Sequence, residues 1–185
     1  MRRYYITDSR AAGGTDAVLT HIQSAIASGV DYIQIREKDL SARAFADLVR
    51  VAVRLAGSGP AKILVNERTD VALAAGAHGV HLPSESLSPT LIRPLLPDGS
   101  VIAVSCHTLS DVERAEAEGA DFVVLGPVFE TPGKGRPLGL EAFGQIAKSA
   151  GVPVFALGGI TVENAGACIR AGAAGVAAIR MFQQP

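Results

Sequence analysis

Cys168-Ile-Arg-Ala-Gly-Ala-Ala-Gly-Val-Ala-Ala-Ile179 is a helix end of small residues, a glycine and then an apolar strand. Each such glycine can adopt the positive φ that ends a helix, and a buried strand begins a few residues later. Repeated units of this kind predict a parallel sheet with helices outside it, and functional side chains in the loops that follow the strands. The same pattern recurs in Ala25-Ile-Ala-Ser-Gly-Val-Asp-Tyr-Ile-Gln-Ile35, Leu73-Ala-Ala-Gly-Ala-His-Gly-Val-His-Leu82 and Ala115-Glu-Ala-Glu-Gly-Ala-Asp-Phe-Val-Val-Leu125.

Eight apolar runs alternate with seven helical patterns along the chain. This arithmetic predicts an α/β fold, a (β/α)8 TIM barrel formed by residues 1–185 as a single domain, with its eighth helix short or missing. An open doubly wound sheet is the alternative, although the first strand lacks a glycine-rich dinucleotide turn. Ser41 and Thr161, the latter followed by Asn164, are predicted N-caps. The strands are expected at 4–7, 31–36, 62–66, 79–82, 101–105, 121–125, 153–157 and 175–179, and the helices at 15–28, 41–56, 68–76, 89–96, 108–119, 139–150 and 161–171.

Composition excludes several classes of partner. The chain has 185 residues, 48% of them hydrophobic, and a formal net charge of −1, which gives no electrostatic footprint for nucleic acid or an anionic membrane. No apolar segment is long enough for a signal peptide or a membrane span, so we expect a cytoplasmic protein. Cys106 and Cys168 show neither disulfide nor metal-ligand spacing, and we expect both to fill core positions.

The end of the second strand carries the strongest polar signal. Strand alternation places Gln34, Arg36 and Lys38 on one side of an extended segment. Two cations in a barrel mouth are costly to desolvate unless an anion meets them, so the pattern predicts an anion-binding site. A solvated cluster, or an internal ion pair with Glu67 or Asp39, is the structural alternative.

Other strand ends add candidate residues. We expect His81 to be a core histidine that is hydrogen-bonded across the barrel. His107 follows the fifth strand near a helix start, where a neutral imidazole can move protons, but a surface or capping histidine fits the same position. The loop at 126–136 is either a lid or a solubilising loop. Gly158 and Gly159 follow the seventh strand, where barrels often hold phosphate with backbone N–H groups.

An ordered set of motifs spans the chain and resembles the thiamine phosphate synthase/TenI family. The resemblance implies a barrel, a role in thiamine biosynthesis and a small-molecule thiazole phosphate as ligand. The matching segments are Tyr5-Ile-Thr-Asp8, Gln34-Ile-Arg-Glu-Lys38, Val65-Asn66, Gly79-Val-His-Leu82, Val104-Ser-Cys-His107, Gly119-Ala-Asp121, Gly126-Pro-Val-Phe129, Gly158-Gly-Ile160 and Gly172–Ile179.

The family contains two kinds of enzyme, and the residues are mixed between them. Synthases use Mg²⁺ to couple hydroxymethylpyrimidine diphosphate with thiazole phosphate, releasing pyrophosphate. Glu67 and Ser86 stand where synthases have aspartates that serve magnesium, and a hydroxyl is a poor replacement for a carboxylate. Their Thr-x-Thr-Lys clamp is also reduced here to Thr131-Pro-Gly-Lys134. By resemblance, the pyrimidine and its diphosphate would contact Gln34, Arg36, Lys38, Asn66, Ser105, Thr131 and Lys134, and the thiazole phosphate would contact Gly159 and Ile179.

TenI-type thiazole tautomerases lack the metal and diphosphate features, and Leu82-Pro-Ser-Glu-Ser-Leu-Ser-Pro89 resembles their fourth loop. The leading prediction is therefore a tautomerase that needs no cofactor or metal, with His107 as general acid/base. Gly158, Gly159 and Arg180 would hold the phosphate, and Arg36 or Lys38 would pair with the substrate carboxylate. Magnesium-dependent synthase, with Glu67 as metal ligand, is the alternative, and a non-catalytic phosphate-ligand sensor is a lesser one.

A homodimer is also expected. Few residues follow Ile179, so the outer faces of the first and last strands are predicted to be under-covered. Met181 and Phe182 are apolar at that point, and isologous pairing is the commonest way for a soluble protein to bury such a surface. The dimeric habit of the family that the chain resembles supports the same expectation.

Overall fold

A computed structural model of the chain describes residues 1–183 and shows a closed barrel of eight parallel strands. Each strand pairs with the next along the chain, and the first pairs with the last, with Tyr4 opposite Ala177. The predicted (β/α)8 barrel is confirmed, and all eight strands lie where the apolar runs placed them. They are β1 (Arg2–Ile6), β2 (Tyr32–Ile35), β3 (Lys62–Asn66), β4 (Gly79–Leu82), β5 (Val101–Cys106), β6 (Phe122–Leu125), β7 (Val154–Leu157) and β8 (Gly175–Ala178).

Helices connect the strands and cover the outside of the barrel. They are α1 (Ser9–Ala12), α2 (Thr15–Ala27), α3 (Ala42–Ala56), α4 (Thr69–Ala75), α5 (Pro89–Ile92), α6 (Leu109–Ala117), α7 (Gly139–Ser149) and α8 (Val162–Ala171). None of the helices within residues 1–183 is long and apolar enough to span a membrane.

Two connections differ from the prediction. The short helix α1 was not expected; Asp8 caps its start and Gly13, at φ 92°, ends it. The helix predicted at 89–96 is split, because α5 gives way to a 3₁₀ turn at Arg93–Leu95. Pro94 stands in that turn and has no N–H to donate, which favours the break.

The predicted helix caps are confirmed. The hydroxyl of Ser41 accepts a hydrogen bond from Ala44 N–H at the start of α3. At the start of α8, Thr161 and Asn164 form a capping box, in which each side chain accepts a hydrogen bond from the other residue's backbone N–H. These side chains satisfy N–H groups that the first helical turn leaves free, and they fix where each helix begins.

The amino-terminal half of the barrel interior is filled by aromatic rings. Tyr4, Tyr32, Phe122 and Phe155 pack with ring centroids 4.8–6.2 Å apart. Gly175 makes room for them, since a Cβ there would lie 2.5 Å from a ring carbon of Phe155. The rings form a closed floor, so a ligand can enter only from the carboxyl ends of the strands.

The outer face of β1 is better covered than the sequence suggested. A 3₁₀ turn at Arg180–Phe182 follows β8, and Met181 and Phe182 are half-buried against the core. The ring of Phe182 lies 5.5 Å from that of Tyr5, centroid to centroid. The expectation of an uncovered seam is therefore wrong, because the chain folds its own last described turn over that strand.

Candidate active site at the barrel mouth

The predicted site residues lie at the carboxyl ends of the strands or in the loops that follow them. Because the eight strands are parallel, these ends form one face of the barrel, which we call the mouth. Gln34, Asn66 and Ser105 lie within strands, and Arg36, Lys38, Glu67 and His107 follow directly after them. Thr131 and Lys134 lie in the β6–α7 loop, Gly158 and Gly159 follow β7, and Ile179 and Arg180 follow β8.

The exit of β2 presents two cations without acidic partners. Asp39, a possible partner from sequence, instead binds Arg10, with Nε–Oδ2 and Nη2–Oδ1 distances of 2.6 and 2.8 Å. Within residues 1–183, neither Arg36 nor Lys38 has a carboxylate within 4.0 Å. The predicted alternative of an internal ion pair is therefore not found in the described chain. A cavity of about 320 Å³ lies here, lined by Asp8, Arg10, Arg36, Glu37, Lys38 and Asp39.

Backbone hydrogen bonds hold this exit in place. The N–H of Arg36 donates to the buried hydroxyl of Thr7 at 2.9 Å, and the N–H of Thr7 donates to the carbonyl of Gln34 at 2.9 Å. The buried carboxylate of Glu37 accepts from the N–H of Ser9 at 2.9 Å. These bonds fasten the β2 exit to β1 and α1, so the segment that carries the cations is held by its neighbours.

A buried chain of polar side chains crosses the barrel above the aromatic floor. The hydroxyl of Tyr4 lies 2.8 Å from Nδ1 of His81, and Nε2 of His81 lies 2.7 Å from the hydroxyl of Ser105. Burial, with the positive charge of Arg36, lowers the pKa of His81 to about 3, so its ring is neutral at physiological pH. The prediction of a core histidine bonded across the barrel is confirmed.

His107 lies past β5 with a defined ring orientation. Its Nδ1 is 2.7 Å from the carbonyl oxygen of Gly126, which can only accept, so Nδ1 carries a proton. In the neutral ring Nε2 then has the free lone pair. The carboxylate of Asp111 accepts from the backbone N–H groups of His107 and Thr108, both at 3.0 Å, and thereby caps α6. The exposed imidazole can accept a proton at Nε2.

Glu67 has an unusual backbone. It directly follows β3 at φ 62°, and it is the one non-glycine residue with positive φ in the described part of the chain. Its N–H donates to the carbonyl of His81 at 2.9 Å, which holds the conformation. A left-handed glutamate costs about 1–2 kcal/mol, and such strain concentrates at functional sites. The strain makes Glu67 a candidate ligand-binding residue on physical grounds as well.

The exit of β7 is built from glycine backbone. Gly158 and Gly159 have φ of 96° and 64°. A Cβ on Gly159 would lie 2.7 Å from the carbonyl oxygen of Glu130, and one on Gly158 would lie 3.2 Å from the hydroxyl of Thr131. The β6–α7 loop therefore lies directly on this turn, and the start of α8 follows it. Glycine places no side chain of its own beside the backbone N–H groups of this turn, which are the groups that could bind a phosphate.

The remaining predicted residues are less closely joined to the site. Lys134 and Arg180 are exposed, and within residues 1–183 neither side chain forms a hydrogen bond or ion pair with the other candidates. Ile179 is half-buried against the inner cluster of the barrel. No group of three or more His, Cys, Asp or Glu residues among those described is placed to hold a metal ion. Both cysteines are buried, as expected.

Sequence reasoning missed Tyr4 and gave no role to Thr7. Tyr4 is the inward residue of β1 that supports His81, and Thr7 anchors the backbone of Arg36. Strand alternation from Ile6 would have placed Tyr4 inside the barrel. Nothing local indicates that its hydroxyl meets a residue 77 positions later.

Comparison with known proteins finds relatives over nearly the whole chain. The family model described as thiamine monophosphate synthase (TMP-TENI) matches residues 3–182. A putative thiamine-phosphate synthase of Geobacter sulfurreducens is 46% identical over 179 residues, covering 95% of this chain and 84% of the relative. A putative thiamine-phosphate synthase 2 of Aquifex aeolicus is 38% identical, with 98% and 97% covered.

A solved structure gives the same result. Thiamine phosphate pyrophosphorylase from Pyrococcus furiosus superposes with a TM-score of 0.86 at 32% identity, covering 96% of this chain and 85% of that one. The family match extends over nearly the whole chain, from β1 to the turn after β8. The chain therefore belongs to the thiamine monophosphate synthase (TMP-TENI) family, a family of thiamine biosynthesis.

Proposed function

We propose that the chain is a thiamine-phosphate synthase, which couples hydroxymethylpyrimidine diphosphate with thiazole phosphate. The observation that carries this proposal is the pair of cations at the β2 exit, which has no acidic partner in the described chain. A diphosphate would supply the negative charge that these side chains lack. The names of the relatives favour this reaction too, although the sequence alone placed it second to the tautomerase.

In the proposed reaction the bond between the pyrimidine methylene carbon and the diphosphate breaks, and its electron pair leaves with pyrophosphate. The ring nitrogen of the thiazole supplies the electron pair of the new carbon–nitrogen bond. Arg36 and Lys38 would hold the diphosphate and stabilise the charge that develops on it as it leaves. Gly158 and Gly159 would hold the thiazole phosphate through backbone N–H groups, with Thr131 beside them.

The donor set suits a magnesium ion that arrives with the diphosphate. Mg²⁺ is usually held by one or two carboxylates together with substrate phosphates and water, so a cluster of protein ligands is not required. The exposed carboxylate of Glu67 at the mouth would provide the protein ligand, with Ser86 and Glu85 on the neighbouring β4–α5 loop. Bound there, Mg²⁺ would neutralise phosphate charge during departure of the pyrophosphate.

Thiazole tautomerase is the second candidate, favoured by the ring of His107. Its protonated Nδ1 faces Gly126 and leaves Nε2 as a base, as a proton shuttle requires. The fourth loop, with Ser86 in place of a carboxylate, fits this reaction as well. His107→Ala would then reduce tautomerisation about 10²–10⁴-fold while phosphate-ligand affinity changes little. Normal turnover by that variant would remove His107 from the mechanism.

The decisive experiment offers both substrate sets to the purified protein, with and without Mg²⁺. The synthase proposal expects magnesium-dependent pyrophosphate release that requires both substrates. Aromatisation of carboxythiazole phosphate without metal, and no pyrophosphate, would support the tautomerase instead. Tight binding of thiazole phosphate with neither reaction would favour the sensor.

We also propose that the protein is a homodimer. Phe182 covers the outer face of β1, so an uncovered strand no longer supports a dimer. Large apolar side chains are nevertheless exposed elsewhere. Leu87, Leu91 and Leu95 around α5 are 63%, 61% and 59% exposed. Light scattering at micromolar concentration tests the proposal, and a species of 19.1 kDa, the mass of one chain, would contradict it.

A further inference from the structure

The hydroxyl of Tyr4 is a buried polar group that the proposed reaction does not use. Tyr4 is fully buried in β1, and its ring belongs to the aromatic floor. Its hydroxyl points out of that floor to Nδ1 of His81, whose other nitrogen meets Ser105. Ser105 is half-buried at the top of β5, so the chain leads from the floor to the mouth.

The direction of the protons in this chain follows from its partners. Within residues 1–183, the hydrogen-bond acceptor placed for the phenol proton of Tyr4 is Nδ1 of His81. Burial raises the pKa of Tyr4 well above its ordinary value, so the phenol keeps its proton. Because a buried O–H that donates to nothing is costly, Tyr4 donates to Nδ1 of His81.

A neutral imidazole that accepts at Nδ1 carries its proton on Nε2. His81 stays neutral because burial and the charge of Arg36 oppose its protonation. Its Nε2–H donates to the oxygen of Ser105 at 2.7 Å. The hydroxyl proton of Ser105 is then directed away from His81, toward the mouth.

We propose that Tyr4 is a positioning residue, which acts through the tautomer of His81 to make Ser105 a hydrogen-bond donor toward the substrate. The proposal rests on the proposed function in one respect, that Ser105 faces the bound substrate. A donor at this point recognises a heteroaromatic ring that offers an unprotonated ring nitrogen. It disfavours a ring that carries N–H or C–H at the same place, because a buried donor would then stay unpaired.

The tautomer is tested first, in the ligand-free enzyme and without any assay. Long-range ¹H–¹⁵N NMR spectra of protein with ¹⁵N-labelled histidine distinguish protonated from unprotonated ring nitrogens. The signals of His81 are assigned by their loss in His81→Asn. The wild type is expected to show protonated Nε2 and unprotonated Nδ1. Tyr4→Phe removes the donor to Nδ1 and should produce a mixture of tautomers.

Tyr32→Phe is the matched control. Tyr32 belongs to the same aromatic floor, with its ring centroid 5.8 Å from that of Tyr4, and loses the same hydroxyl in this variant. Its hydroxyl forms no hydrogen bond with the His81 chain among the described residues. The control should leave the His81 tautomer unchanged. Protonated Nδ1 in the wild type, or an unchanged His81 spectrum in Tyr4→Phe, would overturn the proposal.

A double-mutant cycle then tests the route through Ser105. Tyr4→Phe should lower kcat/KM about 3- to 10-fold, the effect of a net hydrogen bond, and Tyr32→Phe should not. In the background of Ser105→Ala, Tyr4→Phe should have no further effect. An equal loss in both backgrounds would show that Tyr4 acts by general packing and would overturn the proposal. Absence of turnover by the wild type would refute the proposed function alone, since the NMR result stands without it.

Discussion

The exits of β2 and β7 lie on the same mouth, but they would bind the anions of the proposed reaction in opposite ways. The β2 exit presents charged side chains, Arg36 and Lys38, on a backbone fastened to β1. The β7 exit presents backbone alone, because Gly158 and Gly159 leave no space for a side chain beneath the β6–α7 loop. The β2 exit therefore offers positive charge to a ligand, and the β7 exit offers a narrow turn of neutral backbone.

This difference suggests a division of labour between the two substrates. A leaving diphosphate gains charge during the reaction, and full cations at β2 stabilise that gain. A monophosphate that only anchors its substrate gains none, and neutral N–H groups in a rigid turn are sufficient to hold it. The first two of the four predictions below test this division directly, and the other two test residues of the same mouth, in order from the largest expected effect to the smallest.

Replacing Arg36 should have the largest effect. Arg36→Ala removes charge-assisted hydrogen bonds worth about 1.5–3 kcal/mol each, so kcat/KM for the diphosphate substrate should fall roughly 10²-fold or more. Affinity for thiazole phosphate, measured by calorimetry, should change little. Arg10→Ala is the matched control, because Arg10 lines the same cavity but is already paired with Asp39. Equal losses in the two variants would contradict a special role for the unpaired cation.

Crowding the β7 exit should give the reverse selectivity. Gly159→Ala forces a Cβ to 2.7 Å from a carbonyl oxygen at φ 64°, so thiazole phosphate affinity should fall roughly 10-fold or more while the diphosphate site is spared. Gly133→Ala is the control: its φ is 72°, but nothing lies within 4 Å of the added carbon. If both variants lost affinity equally, backbone strain and not crowding would be the cause.

Acid should destabilise the core between the two exits. The folded-state pKa of His81, about 3, lies below the ordinary value of 6.5, so the unfolded chain binds the extra proton between these values. Stability is therefore present above pH 6.5 and is lost as the pH falls toward 3. The loss from this group should reach about 2 kcal/mol at pH 5, measured by urea unfolding. His81→Asn should show a flatter profile, and an identical slope would contradict this origin.

Replacing Glu67 by glycine should give the smallest effect. It should raise the stability of the fold but lower the activity. Glu67→Gly removes a left-handed glutamate, so the free energy of unfolding should rise by up to about 1 kcal/mol. Magnesium-dependent turnover should fall, because the carboxylate is lost. Glu67→Asp is the control that keeps the carboxylate and should keep turnover. A gain of stability with full activity in the glycine variant would exclude Glu67 as a metal ligand.

The strands and caps could be predicted because their signals are local. Gly172 followed by an apolar run specifies a helix end and a strand, and Thr161 with Asn164 specifies a helix start, whatever lies elsewhere. Two cations just after β2 were also visible in the sequence, but β2 ends at Ile35 and Lys38 lies in a turn, so their placement on one side stays a prediction. Family motifs identified the family, which the comparisons confirm, whereas the thiazole phosphate and the roles of the candidate residues stay predictions.

Contacts between distant segments could not be predicted. Arg10 of α1 pairs with Asp39, which is therefore not a partner of the β2 cations. A helix of four residues is too short to show a periodic sequence pattern. The contact of Phe182 with Tyr5 joins the two ends of the described chain. Both contacts depend on which distant segments lie next to each other in the folded chain, and residue spacing along the sequence does not specify this. The helix break at Pro94 is different, because the proline is a local signal that the apolar pattern did not take into account.

The aromatic floor has a consequence for the order of events. Because four rings close the barrel below His81, reactants enter and products leave through a single opening. In the proposed synthase, a substrate bound against Ser105 and Gln34 would therefore have to enter before any substrate that binds above it. For the proposed two-substrate reaction, the closed aromatic floor thus favours an ordered mechanism, in which the more deeply bound substrate binds first and its product leaves last.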